Sequence, residues 1–191
     1  MQNLLQIISS KVRISEKLES AIVGTFRKET ISKNEFLLKE FQYCRRLYFL
    51  DKGTVRTFYY HKEKDITSWF YREGHFLTSW YSFYTQKASF EYIETLEECT
   101  IYSISYTEYQ KLILEFPQFE RFARLLAEEQ TAFVDNFSKG YMFMSAKEKY
   151  DLLLSIFPDI TLRVNLGHIA SFIGVSQETL SRIRRRKKTK A

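Results

Sequence analysis

The spacing of apolar residues along the chain changes character twice. Residues 1–27 place leucine, isoleucine and phenylalanine at helical intervals, so the pattern predicts a helix there. From about residue 29 to residue 105, short runs rich in Tyr, Phe, Ile, Thr and Val are separated by turn residues, which is typical of β-strands. The predicted strands are 46–50, 54–61, 66–71, 90–95 and 100–105. Strands this short and this regularly spaced favour an all-β sandwich or a small barrel.

After residue 105 the apolar spacing is helical again. The pattern predicts a short helix over 106–115 and a long helix from Pro117 to about residue 138, which Gly140 is expected to end. One face of the long helix carries Phe119, Phe122, Leu126, Phe133 and Phe137. Such a face can cover the barrel or pair with a second copy of the chain, and both alternatives remain open at this point. Ser145 and Glu148 have capping-box spacing and predict the start of another helix.

The charge of the 191-residue chain is concentrated at one end. The net charge is +6, and residues 161–191 hold eight basic side chains against one acidic side chain, while the rest is close to neutral. This asymmetry indicates a polyanionic partner near the C-terminus. A solvated basic tail is the alternative.

Composition excludes several classes of protein. Cys44 and Cys99 are too few for a disulfide framework or a four-cysteine metal or cluster site, so no metal is expected. No apolar stretch approaches the roughly 20 residues of a membrane span, and no secretory signal is recognisable, so we expect a cytoplasmic protein without a membrane partner. The sequence has no phosphate-binding loop, nucleophile elbow or metal-ligand spacing, and we do not expect an enzyme.

Residues 166–184 carry the most specific pattern in the chain. Ile169 and Ile173 lie one helical turn apart, and Gly174 follows at once, where the chain must turn. Leu180 and Ile183 then form the apolar face of a second helix. This is the arrangement of a helix-turn-helix, whose second helix enters the major groove of DNA. An ordinary helical hairpin is the alternative, and the adjoining basic segment favours DNA binding.

The second helix of this pair also carries the residues expected to contact DNA. Arginine can donate two hydrogen bonds to guanine, and glutamate can accept one from cytosine. The side chains expected to read bases are Gln177, Glu178, Ser181 and Arg182. Those expected to contact phosphates are Ser176, Arg184, Arg185, Arg186, Lys187 and Lys188. A surface salt bridge between Glu178 and Arg182 is the alternative role for that pair.

Residues 169–184 resemble the helix-turn-helix of the CRP/FNR family of bacterial transcription regulators. In that family a Glu-x-x-Ser-Arg core reads bases, and here it is Glu178, Ser181 and Arg182. Three further strings are similar, more weakly, to the strand pattern of the family's β-roll: Asp51-Lys52-Gly53-Thr54-Val55, Gly74-His75-Phe76 and Ile104-Ser105-Tyr106. The aromatic stretch 80–83 is similar to that of the short regulators of Bacteroidetes.

The resemblance implies an α+β chain in three parts. Residues 1–116 would form a β-roll sensor domain, a double-stranded β-helix of the cyclic-nucleotide-binding type. Residues 117–139 would form the dimerisation helix, so the five apolar residues of its face would pair two copies. Residues 140–191 would form the helix-turn-helix domain. The implied partners are double-stranded DNA, a second copy of the chain and RNA polymerase.

The sequence departs from the cyclic-AMP-binding members of the family. Those members hold the ligand with a Gly-Glu pair and an Arg-Ser pair. Here Thr78 and Ser79 occupy the position of the Gly-Glu pair, and residues 87–89, at the position of the Arg-Ser pair, contain no arginine. We therefore expect neither cyclic AMP nor another cofactor, and the effector is unknown. The residues of an effector pocket would be Thr78, Ser79, Trp80, Lys87 and Ser89. The aromatic residues expected to fill this pocket as core are Trp80, Tyr81, Phe83, Tyr84 and Phe90, with a planar or apolar effector as the alternative.

These observations predict a sequence-specific transcriptional regulator that binds a palindromic operator as a homodimer. One alternative is a small-ligand-binding β-roll protein whose basic head binds nucleic acid non-specifically. A second is a dimeric interaction protein that uses the aromatic β-roll as its working surface.

Overall fold

The computed structural model describes residues 1–188, with side chains described through Arg185. The helices are α1 (Gln2–Ser9), α2 (Glu16–Thr25), α3 (Trp80–Thr85), α4 (Tyr106–Glu115), α5 (Pro117–Phe143), α6 (Ala146–Ile156), α7 (Ile160–Arg163), α8 (Leu166–Ile173) and α9 (Gln177–Lys188). The strands are β1 (Arg27–Ile31), β2 (Phe36–Leu38), β3 (Arg46–Lys52), β4 (Val55–His61), β5 (Lys64–Tyr71), β6 (Phe76–Leu77), β7 (Tyr92–Thr95) and β8 (Cys99–Ser105). No helix within residues 1–188 is both long and apolar enough to cross a membrane.

The strands form two antiparallel four-stranded sheets, with orders β1-β8-β3-β6 and β2-β7-β4-β5. Together with α3 they make up the β-roll, called the roll below, and this confirms the predicted fold class. All the predicted strands are present, with bounds that differ by up to two residues. The pattern missed three strands: β1, whose residues are mostly exposed and show no alternation, and β2 and β6, which are only three and two residues long.

The N-terminal segment forms two helices, so the prediction of one helix over 1–27 is wrong. Ser15 has an extended backbone and caps α2, because its Oγ accepts the N–H of Leu18 at 3.3 Å. A residue in this role interrupts the helical backbone while keeping the apolar spacing on both sides. The fully buried Leu4 of α1 and Leu18 of α2 accordingly belong to the same core.

The long helix starts at Pro117 as predicted, but the prediction that Gly140 ends it is wrong. α5 continues to Phe143, and Gly140 lies inside it. Its end is set by the capping box at the start of α6, which is present as predicted. The Ser145 N–H donates to Glu148 Oε2 at 2.8 Å, and the Glu148 N–H donates to Ser145 Oγ at 3.3 Å.

The apolar face of α5 covers the core of its own chain. Phe119 and Phe122 have no exposed surface, and the Phe122 ring lies 5.3 Å from the ring of Phe76. Further along, Phe133 and Phe137 contact Trp69 at ring distances of 4.8 and 5.1 Å. The fifth residue of the predicted dimer face, Leu126, is also buried. Phe119, Phe122 and Leu126 are therefore packed within the protomer and closed to a partner, whereas Phe133 and Phe137 are only half-buried.

The C-terminal helices α6–α9, called the head below, share their core with the roll. Phe157, Ile169 and Leu180 of the head are buried in one cluster with Phe70 of β5 and Leu96. A shared apolar core fixes the position of the head against the roll.

Candidate nucleic-acid interface

A tight turn joins α8 to α9. α8 ends at Gly174, whose φ is +80°, and the N–H groups of Gly174 and Val175 both donate to the Ala170 carbonyl, at 2.9 and 3.0 Å. A side chain at this φ would be strained, so the position favours glycine. α9 begins after Ser176, whose Oγ accepts the N–H of Thr179 at 3.3 Å. The predicted glycine turn between two helices is confirmed.

The two helices pack through the residues that the sequence pattern selected. Ile169, Ile173 and Leu180 are buried against one another in the core of the head. Ala170 is 2% exposed where the helices approach, and Ile183 is partly buried against the same cluster. This packing determines which face of α9 is left open to solvent.

The open face of α9 carries an acidic and a basic side chain one turn apart. Glu178 and Arg182 are exposed, and Ser181 is half-buried between them in sequence. The Ser176 hydroxyl, then the backbone N–H of Glu178 itself and the Arg182 charge, lower the pKa of Glu178. The face therefore presents an ionised carboxylate, which accepts hydrogen bonds, and a guanidinium, which donates them.

Gln177 does not stand with these residues. A Cβ built on Gly167 would lie 2.7 Å from Gln177 Nε2, so the glutamine side chain rests against the first turn of α8. The geometry brings Glu178, Ser181 and Arg182 to one surface and directs Gln177 back towards its own chain.

The residues expected to contact phosphates are divided in the structure. Ser176 is exposed at the start of α9, Arg185 is exposed further along, and Arg184 is half-buried. Residues 186–188 continue α9, but the side chains of Arg186, Lys187 and Lys188 lie outside the described residues.

Hydrogen bonds hold α8 against the roll. β5 is an edge strand of its sheet, so one side of its backbone has no neighbouring strand. Ser171 Oγ accepts the N–H of Thr67 at 2.9 Å and donates to the carbonyl of Asp65 at 2.6 Å. Phe172 packs beside it, with its ring 5.5 Å from that of Phe70. The Ser171 hydroxyl thus satisfies two backbone groups of β5 that would otherwise bond to a neighbouring strand.

An ion-pair cluster makes a second connection between head and roll. Arg163 contacts Glu73 and Glu97, each at 2.6 Å, and Asp159 at 3.2 Å. Burial opposes the charge of Glu73, but hydrogen bonds from Arg163 and from the Gly53 N–H outweigh it and hold the pKa of Glu73 at about 2. Both glutamates of the roll are therefore bound to one arginine of the head.

The predicted effector-pocket residues are only partly together. Ser79 and Ser89 are buried, with their Oγ atoms 3.2 Å apart. Thr78 is buried beside them and donates to the Arg46 carbonyl at 2.9 Å. Trp80 begins α3, and its buried indole Nε1 has no hydrogen-bond partner among the described residues, whereas Lys87 is exposed. The hydroxyl groups of Thr78, Ser79 and Ser89 thus form hydrogen bonds within the protein, and the ammonium group of Lys87 is not buried with them.

The aromatic side chains near the predicted effector pocket are not all buried. Phe83 is fully buried, but Tyr81, Tyr84 and Phe90 are 46%, 43% and 55% exposed. The expectation that they form core is wrong for these three: α3 turns Tyr81 and Tyr84 outward, and Phe90 lies exposed between α3 and β7.

Sequence reasoning missed Glu91, which is half-buried near Ser79 just before β7. Burial raises the pKa of Glu91, and a hydrogen bond with Ser79 acts in the opposite direction. In the predicted strand 90–95, alternation gives Glu91 the same face as the fully buried Ile93, although β7 itself begins at Tyr92. A carboxyl group at this place disfavours an anionic ligand.

Comparisons with known proteins agree with this architecture. Residues 28–116 match the family model of the cyclic nucleotide-binding domain. No curated protein matches the chain. Among solved structures, FixK2 from Bradyrhizobium japonicum is 14% identical, with a TM-score of 0.75 over 86% of this chain and 85% of that chain. The c-di-GMP responsive global regulator CLP from Xanthomonas campestris is 12% identical, with a TM-score of 0.69 over 92% and 93%.

A third structure, described as that of a crp/fnr-family transcriptional regulator from Eubacterium rectale, is 15% identical, with a TM-score of 0.69 over 93% of this chain and 85% of that chain. At these identities the likeness is one of fold. The family model of the cyclic nucleotide-binding domain matches residues 28–116, and the described chain has the fold of the CRP/FNR-type regulators.

Proposed function

We propose that this chain is a sequence-specific DNA-binding transcriptional regulator and that α9 is its recognition helix. The observation that carries the proposal is the open face of α9, which is backed by α8 through a glycine turn and presents Glu178 and Arg182 to solvent. A helix supported in this way can enter the major groove while its partner helix stays behind it. The basic character of residues 161–191 supports contact with a polyanion.

Base reading is assigned to Glu178, Ser181 and Arg182. Arg182 can donate to O6 and N7 of guanine, and Glu178 can accept from N4 of cytosine. Phosphate contacts are assigned to Ser176, Arg184, Arg185, Arg186, Lys187 and Lys188. Gln177 would join the base contacts only by leaving Gly167, which a change of side-chain rotamer allows.

We further propose that the regulator acts as a homodimer that pairs through α5, by a face other than the one first expected. Ala127, Thr131, Val134 and Ser138 follow one another at intervals of four, three and four residues, which is heptad spacing. Val134 is 54% exposed, and Thr131 and Ser138 are also exposed, so this face is open in the protomer. Small residues let two helices approach closely, and two α9 helices about 34 Å apart would read a palindrome.

The residues inside the roll argue against cyclic AMP as the effector. Cyclic AMP is not the proposed ligand, because Glu91 lies beside Ser79, Lys87 is exposed, and residues 87–89 contain no arginine. As a regulator, the dimer would act on RNA polymerase at the promoter. An enzymatic role is not proposed.

The test is selection of binding sites from a randomised duplex pool with purified full chain and no added ligand. Enrichment of a palindrome with half-sites one helical turn apart is expected. The same selection with Arg182→Ala should lose preference at one base position of each half-site. Retention of bulk DNA without any enriched sequence would overturn sequence-specific binding and favour a head that binds nucleic acid non-specifically.

A further inference from the structure

The hairpin of β4 and β5 ends beside the start of α9. Its strands are paired from Val55 and Tyr71 to His61 and Lys64. The turn residues Lys62 and Glu63 both have positive φ, +48° and +63°, which is the backbone of a tight two-residue turn. The hairpin is therefore ordered to its tip and projects a defined end.

One groove is shared by this hairpin and the turn between α8 and α9. On one side it is lined by residues 64–66 of β5, and on the other by residues 174–177, which include Ser176. The Ser171 hydrogen bonds to Asp65 and Thr67 lie at its floor. Because these bonds join α8 to β5, the hairpin and the first residues of α9 are held in one arrangement.

The hairpin brings positive charge to the mouth of this groove. Lys62 and Lys64 are exposed. The nearby acid Asp65 is paired, since both of its carboxylate oxygens accept hydrogen bonds at 2.7 Å from the buried Arg56, which also pairs with Glu94 at 2.8 Å. Glu63 is the acidic residue of the tip itself. Two lysines against one glutamate give the tip, residues 62–64, a net charge of +1 next to the predicted phosphate contact Ser176.

We propose that Lys62 and Lys64 bind the DNA backbone, so that the roll itself forms part of the DNA interface. The inference rests on the proposed function, because the groove is continuous with the surface of α9 assigned to DNA. The lysines would contact phosphates next to those that approach Ser176, and they would carry no base preference. The interface would then extend into the domain that the sequence assigned to sensing.

The test compares two double variants of the full chain that lose the same charge. Lys62→Gln/Lys64→Gln changes the hairpin. Lys28→Gln/Lys33→Gln changes two exposed lysines, at β1 and the turn that follows it, and β1 is an edge strand of the other sheet. Binding to the selected duplex is measured by fluorescence anisotropy between about 50 and 200 mM salt, where the slope of log Kd against log salt concentration counts phosphate contacts.

For the hairpin variant we expect the magnitude of this slope to fall by about 2 to 4 per dimer and the Kd at about 100 mM salt to rise about tenfold, with the same enriched sequence. The matched variant should keep the wild-type slope. An unchanged slope in the hairpin variant, with wild-type DNA binding intact, would overturn the hairpin contact alone. An equal fall in both variants would assign the effect to overall charge and also overturn it. If the wild-type chain binds no duplex at low salt, the proposed function fails and the hairpin contact with it.

Discussion

Ser171 of α8 and Thr67 of β5 form a hydrogen bond that joins the head to the roll, from the N–H of Thr67 to Ser171 Oγ at 2.9 Å. Thr67 is buried, and its sheet has no further strand on this side. The same hydroxyl bonds to the Asp65 carbonyl, so one side chain satisfies a donor and an acceptor of an edge strand.

Ser171→Ala should therefore lower the free energy of unfolding by about 1–3 kcal/mol, because it leaves a buried N–H group without a partner. Urea unfolding of the full chain measures this change. Ser155→Ala is the control, since Ser155 is exposed and bonds only to the Leu152 carbonyl within its own helix. Equal stability of the two variants would show that the Ser171 contact does not hold the head.

Arg182→Ala should weaken binding to the selected duplex by about 1–3 kcal/mol and relax one base position. The loss follows from the two hydrogen bonds that the guanidinium would donate to one guanine. Anisotropy titrations against the selected duplex and its single-base variants measure both effects. Arg13→Ala removes the same charge from an exposed position between α1 and α2 and should bind like the wild type. Weaker binding with unchanged base preference would assign Arg182 to phosphates.

Val134→Glu should convert the dimer to monomers and reduce operator binding. The added carboxylates would face each other across the proposed seam, where like charges repel. Since Val134 is 54% exposed in the protomer, the variant should keep its fold by circular dichroism. Sedimentation velocity gives the oligomeric state, and Asn136→Glu, at an exposed position of α5 off the seam, is the matched control. A dimeric Val134→Glu variant would place the subunit contact elsewhere.

His75 should make the folded state less stable in mild acid. Burial and the charge of Arg72 lower its pKa to about 4, while Glu73 acts in the opposite direction. Between about pH 6.5 and 4 the unfolded chain therefore binds a proton that the folded chain does not, so stability falls as the pH falls.

His75→Phe removes this difference, and the aromatic ring can keep the contacts with Tyr71 and Phe157. Between pH 7 and 4.5 the variant should lose about 2 kcal/mol less of its free energy of unfolding than the wild type. Urea unfolding at a series of pH values measures the difference. Identical pH profiles would show that burial of His75 does not cause the acid sensitivity.

The local features of the head were readable from the sequence because neighbouring residues produce them. The apolar spacing of Ile169, Ile173, Leu180 and Ile183, with Gly174 at the turn, depends only on helical periodicity and on the backbone freedom of glycine. The capping box at Ser145 was predictable for the same reason. The inward position of Glu91 could have been predicted from strand alternation, given that the face carrying Ile93 is internal.

The sequence by itself thus determined the paired helices and glycine turn of the head, the capping box at Ser145 and five of the eight described strands. The tertiary structure decided what each face meets. The Phe119 stripe of α5 covers its own core and leaves Val134 outside, and Ser171 closes the edge of β5, which brings Lys64 beside Ser176. Periodicity indicates that a face is buried, but the residues that bury it are distant in sequence, and their placement follows only from packing the whole chain.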